Sequence, residues 1–493
     1  MHGAHARRLY YSVAIPSMLY AADVWCSQPK NSPNSRKKGG MKAAIRKMES
    51  VQRKAALLAT GALRTTPSDL LFTHANMLPL RSHIKLICHG SALRIATLPK
   101  EHPLYATARR AMGRRLRRHT SPLYDILDSA GIRTNTIETV NTITKPPTWR
   151  NQVRTTIAKT REEAEQSAKD DESDIRIFTD GSSHDGGVGA AAVLTQGIRP
   201  AKIARYYLGR DAKHTVYESE CVSQILALKM LQKLGQDLNG MDVMIATDNQ
   251  AVLRSYSARK ATPGSYLIED TRALITAIEE RWPRVRLKLQ WVPGHEGIEG
   301  NEKADTEAKR AAEGGHRNRK HEHHRLLKGL PASKSATKQH LKKKIRKAYE
   351  KEFRTSPRYE RASRFDPKTP VSNFMKIATK LTRRQASVLA QLRSSHAPLQ
   401  AYLHRFKLAE SPVCPSCGTE PETTTHFLLY CISYVAQRRR LWRTLGRDQS
   451  LGLEILGDEK RIRPLMTYIN DTKRFADSHG DLQHEMHDDE GNH

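Results

Sequence analysis

The chain has 493 residues, of which 38% are hydrophobic and 27% charged; this is too long for a single core and suits several modules joined by polar connectors. Lysine and arginine number 83 against 51 acidic residues, and the net charge of +32 indicates a polyanionic partner, most simply nucleic acid. Six cysteines are too few for a disulfide framework, and no run of 18 apolar residues could span a membrane. We therefore expect an intracellular protein, nuclear or cytoplasmic, with no membrane partner; the composition identifies no protein partner.

Residues 1–145 carry helical patterns. Residues 9–25 have apolar residues on more than one face, and in residues 43–63 apolar residues recur at helical spacing. Residues 78–98 are a third helical candidate. The first of these loosely resembles a signal peptide, but Pro16 and several polar residues interrupt it. Two prolines at 146 and 147 mark a boundary, and residues 146–173 are predicted to be a charged linker.

Residues 174–314 predict a mixed α/β domain. A strand at 175–180 is predicted to end in Asp180, with a turn beginning at Gly181. Further strands are predicted at 186–194, 203–208, 243–248 and 285–292, and helices at 216–234, 267–282 and 301–312. Three early strands followed by alternating helices and strands indicate one mixed sheet flanked by helices.

Four carboxylates stand at informative positions of this domain. Asp180 and Asp248 end predicted strands, Glu220 lies early in the central helix, and Asp305 lies near the start of the last helix. Taken singly, each could be a helix cap or a solvated charge. Together they would repel one another unless cations neutralise them, and carboxylate oxygens are the ligands that Mg²⁺ prefers. Two such ions could activate water against a phosphodiester.

The same segment resembles type 1 RNase H. The resemblance is carried by Phe178-Thr179-Asp180-Gly181-Ser182, Tyr217-Glu218-Ser219-Glu220, Thr247-Asp248-Asn249-Gln250 and Trp291-Val292-Pro293-Gly294-His295 … Gly300-Asn301-Glu302-Lys303-Ala304-Asp305. It implies a ribonuclease H-like fold and endonucleolytic cutting of the RNA strand of RNA–DNA hybrids with Mg²⁺ or Mn²⁺. It further implies that the four acids are metal-binding catalytic residues and that His295 assists proton transfer or product release. Glu218 is the competing candidate for the role of Glu220.

Residues 315–375 are predicted to be a basic linker, with a basic helix candidate at 338–354 whose cationic face could contact phosphates. Residues 376–445 are predicted to be helical and contain Cys414, Cys417, His426 and Cys431. Their spacing, C-x₂-C-x₈-H-x₄-C, can complete a tetrahedral zinc site with no open position, so we expect a structural Zn²⁺. The alternative is three free cysteines and a surface histidine. Residues 446–493 are assigned as a tail.

Two flanking segments resemble non-LTR retrotransposon polyproteins. Ser12 to Trp25 with Gln52 to Pro67 is similar to the region downstream of the reverse transcriptase palm, and residues 380–445 are similar to the tail that follows RNase H in fungal elements. The resemblance implies a truncated element product without polymerase activity that binds hybrids and other nucleic acid. The alternatives are a binding remnant that no longer cuts, and a host-type RNase H with unrelated extensions.

Overall fold

The computed structural model describes residues 2–26, 38–113, 122–141, 154–234, 236–258, 260–294, 296–314, 323–367, 372–446 and 452–483. The chain divides into two compact units. The first, here called the terminal unit, comprises Met1–Ala22, Ser32–Ile87 and Lys344–His493; the second, here called the central unit, comprises Asp23–Asn31 and Cys88–Lys343. Among the described residues, no helix combines the length and the apolar character needed to cross a membrane.

The central unit contains a mixed sheet of six strands. The strands are β1 (Arg154–Thr156), β2 (Ile175–His184), β3 (Gly187–Gln196), β4 (Arg199–Arg210), β5 (Asp242–Thr247) and β6 (Arg286–Trp291). Their order across the sheet is β1-β6-β5-β2-β3-β4. β2, β3 and β4 pair antiparallel, whereas β2–β5, β5–β6 and β1–β6 pair parallel.

Helices occur in both units of the described chain. They are α1 (Gly3–Leu9), α2 (Ile15–Met18), α3 (Ala22–Trp25), α4 (Lys38–Thr60), α5 (Ser68–His74), α6 (Leu80–Ala96), α7 (Leu104–Gly113), α8 (Pro122–Ala130), α9 (Arg161–Lys169), α10 (Val216–Gln232), α11 (Gln250–Ser255), α12 (Ser265–Arg281), α13 (Glu299–Ala312), α14 (His324–Lys328), α15 (Lys334–Arg354), α16 (Tyr359–Phe365), α17 (Phe374–Ala378), α18 (Arg383–Ser394), α19 (Gln400–Arg405), α20 (Val435–Leu445), α21 (Ile462–Asp471) and α22 (Ala476–His479). Single turns of other helix types lie at Tyr10–Ala14, His426–Tyr430, Ile432–Tyr434 and Leu453–Gly457.

Apolar side chains cover both faces of the sheet. Ile175 and Ile177 of β2 join a core with α10 and α12, whereas Phe178 points to the other face and packs with Ala304 of α13, as the two-residue period of a strand requires. Gly189 lets α13 approach, because a Cβ atom there would lie 2.2 Å from the nitrogen of Ala312. The predicted fold class, a mixed sheet flanked by helices together with a helical N-terminal region, is confirmed.

Two details of the sheet differ from the prediction. β2 does not end at Asp180: it continues through Gly181, which pairs with Ala190 of β3, and ends at His184. The expected turn was wrong because Gly and Ser favour turns but also fit a strand whose partner supplies the hydrogen bonds. The short β1, which lies within the interval assigned as a linker, was not predicted because its three residues are all exposed and carry no apolar pattern.

The terminal unit has its own core, built around α18. Val388, Leu389 and Leu392 are fully buried there. Residues 453–482, within the interval assigned as a tail, also contribute to this core, chiefly Leu465 and Ile469 of α21. The apolar residues of α21 recur at helical spacing, and they form one buried face of this helix.

A buried ion pair lies inside this core. The guanidinium of Arg393 has no exposed surface and bonds the carboxylate of Asp366, which is 2% exposed. It also donates to Asn373 Oδ1 and to the carbonyl oxygen of Leu456, at 3.2 Å each. Burial lowers the pKa of Arg393 to about 10, with Asp366 opposing the shift. The carboxylate therefore neutralises a cation that has no access to water.

Replacement of Asp366 by alanine is expected to destabilise the terminal unit by about 3–5 kcal/mol, because it leaves an uncompensated buried charge. The matched control is Glu360→Ala, which breaks the exposed pair with Arg364 and should cost less than about 1 kcal/mol. Urea unfolding of the two variants measures the difference. Equal losses of stability in both would show that the buried pair does not support the core.

Candidate active site

Three of the four predicted acids meet at one end of the sheet. Asp180 lies on β2, Asp248 directly follows β5, and Glu220 lies in the second turn of α10. One carboxylate oxygen from each of the three lies within 4.8 Å of the others. The sheet explains the pairing, because the residues preceding the two aspartates, Thr179 and Thr247, are register partners in parallel neighbouring strands. The next residue of each chain segment is the aspartate, so Asp180 and Asp248 lie side by side.

A buried polar network holds the third acid against the strands. The amide of Gln224, one turn after Glu220 on α10, donates to Thr179 Oγ1 at 2.6 Å. The Thr179 hydroxyl in turn donates to the carbonyl oxygen of Ala246 at 2.7 Å. This chain of bonds joins α10, β2 and β5 directly behind the carboxylates. The sequence analysis did not single out Gln224. Its position four residues after Glu220 on a helix could have indicated that the two side chains lie on the same face.

A glycine permits the close approach of the helix to the strand. A Cβ atom on Gly181 would lie 2.5 Å from the backbone nitrogen of Glu220, so any other residue would push α10 away. A Cβ atom on Gly294 would likewise lie 2.9 Å from Asp248 Oδ2. Both glycines therefore allow backbone to pass close to the acids and fix the size of the site.

The electrostatics of the cluster favour a bound cation. Burial, together with the charges of Asp248 and Asp305, raises the pKa of Asp180 from 3.8 to about 7. Burial, followed by repulsion from Asp180, raises the pKa of Glu220 well above its usual value. Glu220 Oε2 is buried without a hydrogen-bond partner. An oxygen-only donor set with an unsatisfied buried carboxylate oxygen fits a hard divalent cation such as Mg²⁺ or Mn²⁺.

The fourth acid lies beside this cluster and not within it. Asp305 is near enough to raise the pKa of Asp180, but its Oδ2 accepts a hydrogen bond from Lys309 Nζ at 2.6 Å, one turn further along α13. The sequence analysis missed Lys309, although the i, i+4 spacing of opposite charges is a readable signal. His295 lies outside the residues that the structure describes.

Glu218, the competing candidate, has a different environment. Its Oε2 accepts hydrogen bonds from the nitrogen of Thr215 at 2.8 Å and from the Thr215 hydroxyl at 3.1 Å. The Thr215 hydroxyl also accepts from the nitrogen of Glu218, which completes a capping box at the start of α10. The structure therefore places Glu220 in the cluster and gives Glu218 a capping role.

The predicted cysteine–histidine set also comes together, in the terminal unit. The sulfur atoms of Cys414, Cys417 and Cys431 and a nitrogen of His426 all lie within 4.8 Å of one another. Cys414 Sγ lies 3.8 Å from Cys431 Sγ, and Cys417 Sγ lies 3.4 Å from His426 Nε2. Zinc–sulfur bonds of about 2.3 Å at tetrahedral angles place two sulfurs about 3.8 Å apart, so this spacing fits a zinc site. All three cysteines are free of disulfides.

A backbone turn brings the first two cysteines of this set together. Cys414 and Cys417 lie on a tight turn in which the nitrogen of Gly418 donates to the carbonyl oxygen of Cys414 at 2.8 Å. Gly418 has φ +70°, a conformation that favours glycine. Hydrogen bonds from Thr419 lower the pKa of the Cys417 thiol to about 6, so thiolate is accessible near neutral pH. A thiolate is the form that binds zinc.

Comparison with known protein families matches the central part of the chain. The model of the RNase H family matches residues 172–313. Among solved structures, LC11-RNase H1 in complex with RNA/DNA hybrid is 25% identical, with 28% of this chain and 96% of that chain covered and a TM-score of 0.23. RNase H1 from the halophilic archaeon Halobacterium salinarum NRC-1 is 20% identical, with 28% and 97% covered and a TM-score of 0.22. The family match spans the whole sheet except β1, and all four predicted acids. Residues 172–313 are therefore an RNase H domain.

Proposed function

We propose that this protein hydrolyses the RNA strand of RNA–DNA hybrids at the cluster of Asp180, Glu220 and Asp248. The observation that carries the proposal is the convergence of these three carboxylates within 4.8 Å, inside a segment that matches the RNase H family. A solvated or capping role for each acid would not require them to share one site, and the raised pKa values of Asp180 and Glu220 would then be an uncompensated cost.

The residues of the chain would hold the site as follows. Asp180, Glu220 and Asp248 would bind divalent cations, with Asp305 as a further ligand after exchange of its bond to Lys309. Two divalent cations at such a site would neutralise the carboxylates and polarise both the attacking water and the phosphodiester. Because Asp180 has a raised pKa of about 7, cation binding would be coupled to loss of a proton from the cluster.

The remaining groups of the chain would orient the acids and move protons. Gln224 and Thr179 keep α10 and β2 in fixed positions, so Glu220 and Asp180 need little reorganisation when substrate binds. Until Asp305 exchanges this bond for a cation, Lys309 would hold its carboxylate next to the cluster. By its resemblance to the mobile-loop histidine, His295 is proposed to assist proton transfer or product release.

We further infer that this activity belongs to a non-LTR retrotransposon polyprotein. Support comes from the sequence resemblances of residues 12–25, 52–67 and 380–445, which flank the RNase H domain on both sides. The cluster of Cys414, Cys417, His426 and Cys431 is proposed to hold a structural zinc ion, since all four ligand positions are supplied by the protein. The net charge of +32 supports binding of nucleic acid by the rest of the chain.

The test is cleavage by the purified full chain with Mg²⁺. An RNA–DNA hybrid labelled on each strand in turn should lose only its RNA strand, whereas duplexes of DNA alone and of RNA alone should remain uncut. The discrimination is expected because 2′-hydroxyls and groove shape distinguish these substrates. Binding of the hybrid without cleavage at any Mg²⁺ or Mn²⁺ concentration would instead favour a nucleic-acid-binding remnant.

A further inference from the structure

The cluster of three acids has a positively charged neighbour, Lys309 of α13. Its ammonium nitrogen lies 2.6 Å from Asp305 Oδ2 and donates a hydrogen bond to it. Its charge also acts on the cluster itself, because Lys309 opposes the rise that burial causes in the pKa of Asp180. The bond to Asp305 raises the pKa of Lys309, so this side chain is charged at neutral pH. One cation beside the acids is therefore supplied by the protein itself.

Asp305 differs from the other three acids in its surroundings. Asp180 and Glu220 are buried, whereas 27% of the Asp305 side chain is exposed. Asp305 also lies outside the set of Asp180, Glu220 and Asp248, whose carboxylate oxygens are within 4.8 Å of one another. Those three acids are close enough to share one cation as they stand. Asp305 becomes a ligand through its Oδ2 only when the bond from Lys309 is released.

The helix that carries both residues is held in place, so this exchange is confined to side chains. Glu307, buried on α13, forms an ion pair with Arg205 of β4. A Cβ atom on Gly300 would overlap the ring of Phe178, so the start of α13 lies directly on β2. By contrast, 49% of the Lys309 side chain is exposed. The lysine can therefore turn into solvent while the carboxylate it leaves keeps its place beside the cluster.

The balance of charge shows how Lys309 affects cation binding. When all four carboxylates are ionised, they and the Lys309 ammonium carry a net charge of −3. One divalent cation changes this to −1 and a second would change it to +1, whereas without the ammonium two cations would leave the group neutral. Because Lys309 is bonded to Asp305 and repulsion falls with distance, the lysine opposes most strongly the cation that Asp305 would bind.

We propose that Lys309 competes with a divalent cation for Asp305, and that this competition sets the cation concentration at which Asp305 joins the site. At low concentration Asp180, Glu220 and Asp248 bind one ion while Lys309 stays on Asp305; at higher concentration a second ion displaces the lysine. The inference rests on the proposed divalent-cation site and makes Lys309 a positioning residue that acts through Asp305. Removing the lysine should therefore strengthen cation binding, which is the opposite of what damage to the site would do.

The experiment measures Mn²⁺ binding to the full chain by calorimetry, without nucleic acid, in Lys309→Met and Lys309→Arg. An opposite charge beside a carboxylate changes its affinity for a proton by about 10-fold or more, and a divalent cation at the same carboxylate is repelled at least as strongly. Lys309→Met should therefore bind the weaker of the two ions about 10-fold more tightly, and the tighter ion less than about threefold more tightly. Lys309→Arg keeps the charge and should bind the weaker ion no more tightly than the wild-type chain.

The matched control is Lys303→Met on the same helix. Lys303 is also exposed, but it lies two residues before Asp305, a spacing that does not place two helical side chains on one face. Its Mn²⁺ affinities should stay within about twofold of the wild-type values, since solvent and salt screen an exposed charge. In a chain that carries Asp305→Asn, Lys309→Met should lose its effect on the weaker ion, because the two residues act through one contact. Independent effects of the two substitutions would overturn the competition.

Cleavage of a hybrid supplies a second measurement. The Mg²⁺ concentration that gives half-maximal cleavage should fall about 10-fold in Lys309→Met, in step with the tighter binding of Mn²⁺. Unchanged or weaker Mn²⁺ binding in Lys309→Met would overturn the role of the lysine even if the wild-type chain cleaves hybrids. Tighter Mn²⁺ binding in a chain that never cleaves would keep this role and overturn the nuclease. If Asp180→Asn does not weaken Mn²⁺ binding, both proposals are overturned.

Discussion

Replacement of Asp180 by asparagine is expected to lower the rate of RNA-strand cleavage by more than about 100-fold, because loss even of groups that only orient metal ligands costs about 10- to 100-fold. Asp180 is the central member of the cluster: both Asp248 and Asp305 act on its pKa. The amide keeps the shape of the carboxylate but removes the negative charge that a divalent cation requires. Single-turnover cleavage of a hybrid with Mg²⁺ measures the effect.

The matched control is Asp185→Asn. Asp185 lies five residues further along, at the exposed turn after β2, with 87% of its side chain accessible. Its φ of +47° suits asparagine equally well. The control removes the same kind of charge five residues further along the chain without touching the cluster, so its cleavage rate should stay within about twofold of the wild-type rate. A comparable loss in both variants would contradict a specific role for Asp180.

A loss of activity in Asp180→Asn should not reflect unfolding. The pKa of Asp180 is raised in the folded chain from 3.8 to about 7. Its contribution to stability is therefore present below pH 3.8 and is lost as the pH rises through about 7, since ionisation is less favourable in the folded state. At pH 8 without Mg²⁺, asparagine should keep or raise the melting temperature. A lower melting temperature of Asp180→Asn would mean that its loss of cleavage could not be attributed to the metal site. It would also contradict the conclusion that burial of the Asp180 carboxylate disfavours its ionised form.

The positions of Asp248 and Glu220 could be predicted from sequence because each is tied to a local pattern. Asp248 directly follows an apolar strand, β5, and Glu220 lies near the start of the helix α10. The structure contains both of these elements where the sequence predicts them. The end of β2 could not be predicted locally, since Gly181 and its neighbours pair with β3 only in the folded sheet. Glycine and serine favour turns when the segment is considered alone, but the neighbouring strand β3 decides that this segment is a strand.

Residues whose role depends on tertiary contacts could not be predicted from the sequence either. Glu138 lies in a segment without a motif, yet it is buried and joins Gly264 to the start of α15. Nothing in the spacing of residues 138, 264 and 334 shows that they meet. β1 is a similar case, because its pairing with β6 is made by the backbone and leaves no apolar pattern in its side chains. By contrast, a helix was predicted at 338–354, and buried Ile345 and Tyr349 lie four residues apart on one face of α15.

Replacement of Cys417 by serine is expected to remove the zinc ion and to lower the melting temperature of the terminal unit by at least about 6 °C. Structural zinc sites in small domains contribute about 10–16 kcal/mol of binding free energy. Even about 3 kcal/mol lost from a unit of this size corresponds to about 6–12 °C. Metal analysis of the purified chain and thermal unfolding measure the two effects together.

Cys417 is the most informative of the four ligands to replace. Cys414 and Cys431 are fully buried in the core with Phe427, so serine there would also disturb packing. Cys417 is only partly buried, and serine is nearly the same size. A loss of stability in Cys417→Ser therefore reports the missing metal and not a packing defect.

Cys26→Ser is the matched control, since Cys26 is also partly buried and lies outside the cluster. It should retain one zinc ion per chain and the wild-type melting temperature.

The expected loss of stability in Cys417→Ser has a structural cause. Without zinc, Cys414, Cys431 and His426 would be buried polar groups that have lost the metal as a partner. They lie beside the core that includes Tyr468 and Phe475, so the cost would fall on this core. Full zinc content in Cys417→Ser, or zinc loss with an unchanged melting temperature, would contradict a structural metal, because a closed four-ligand site must tie metal binding to folding.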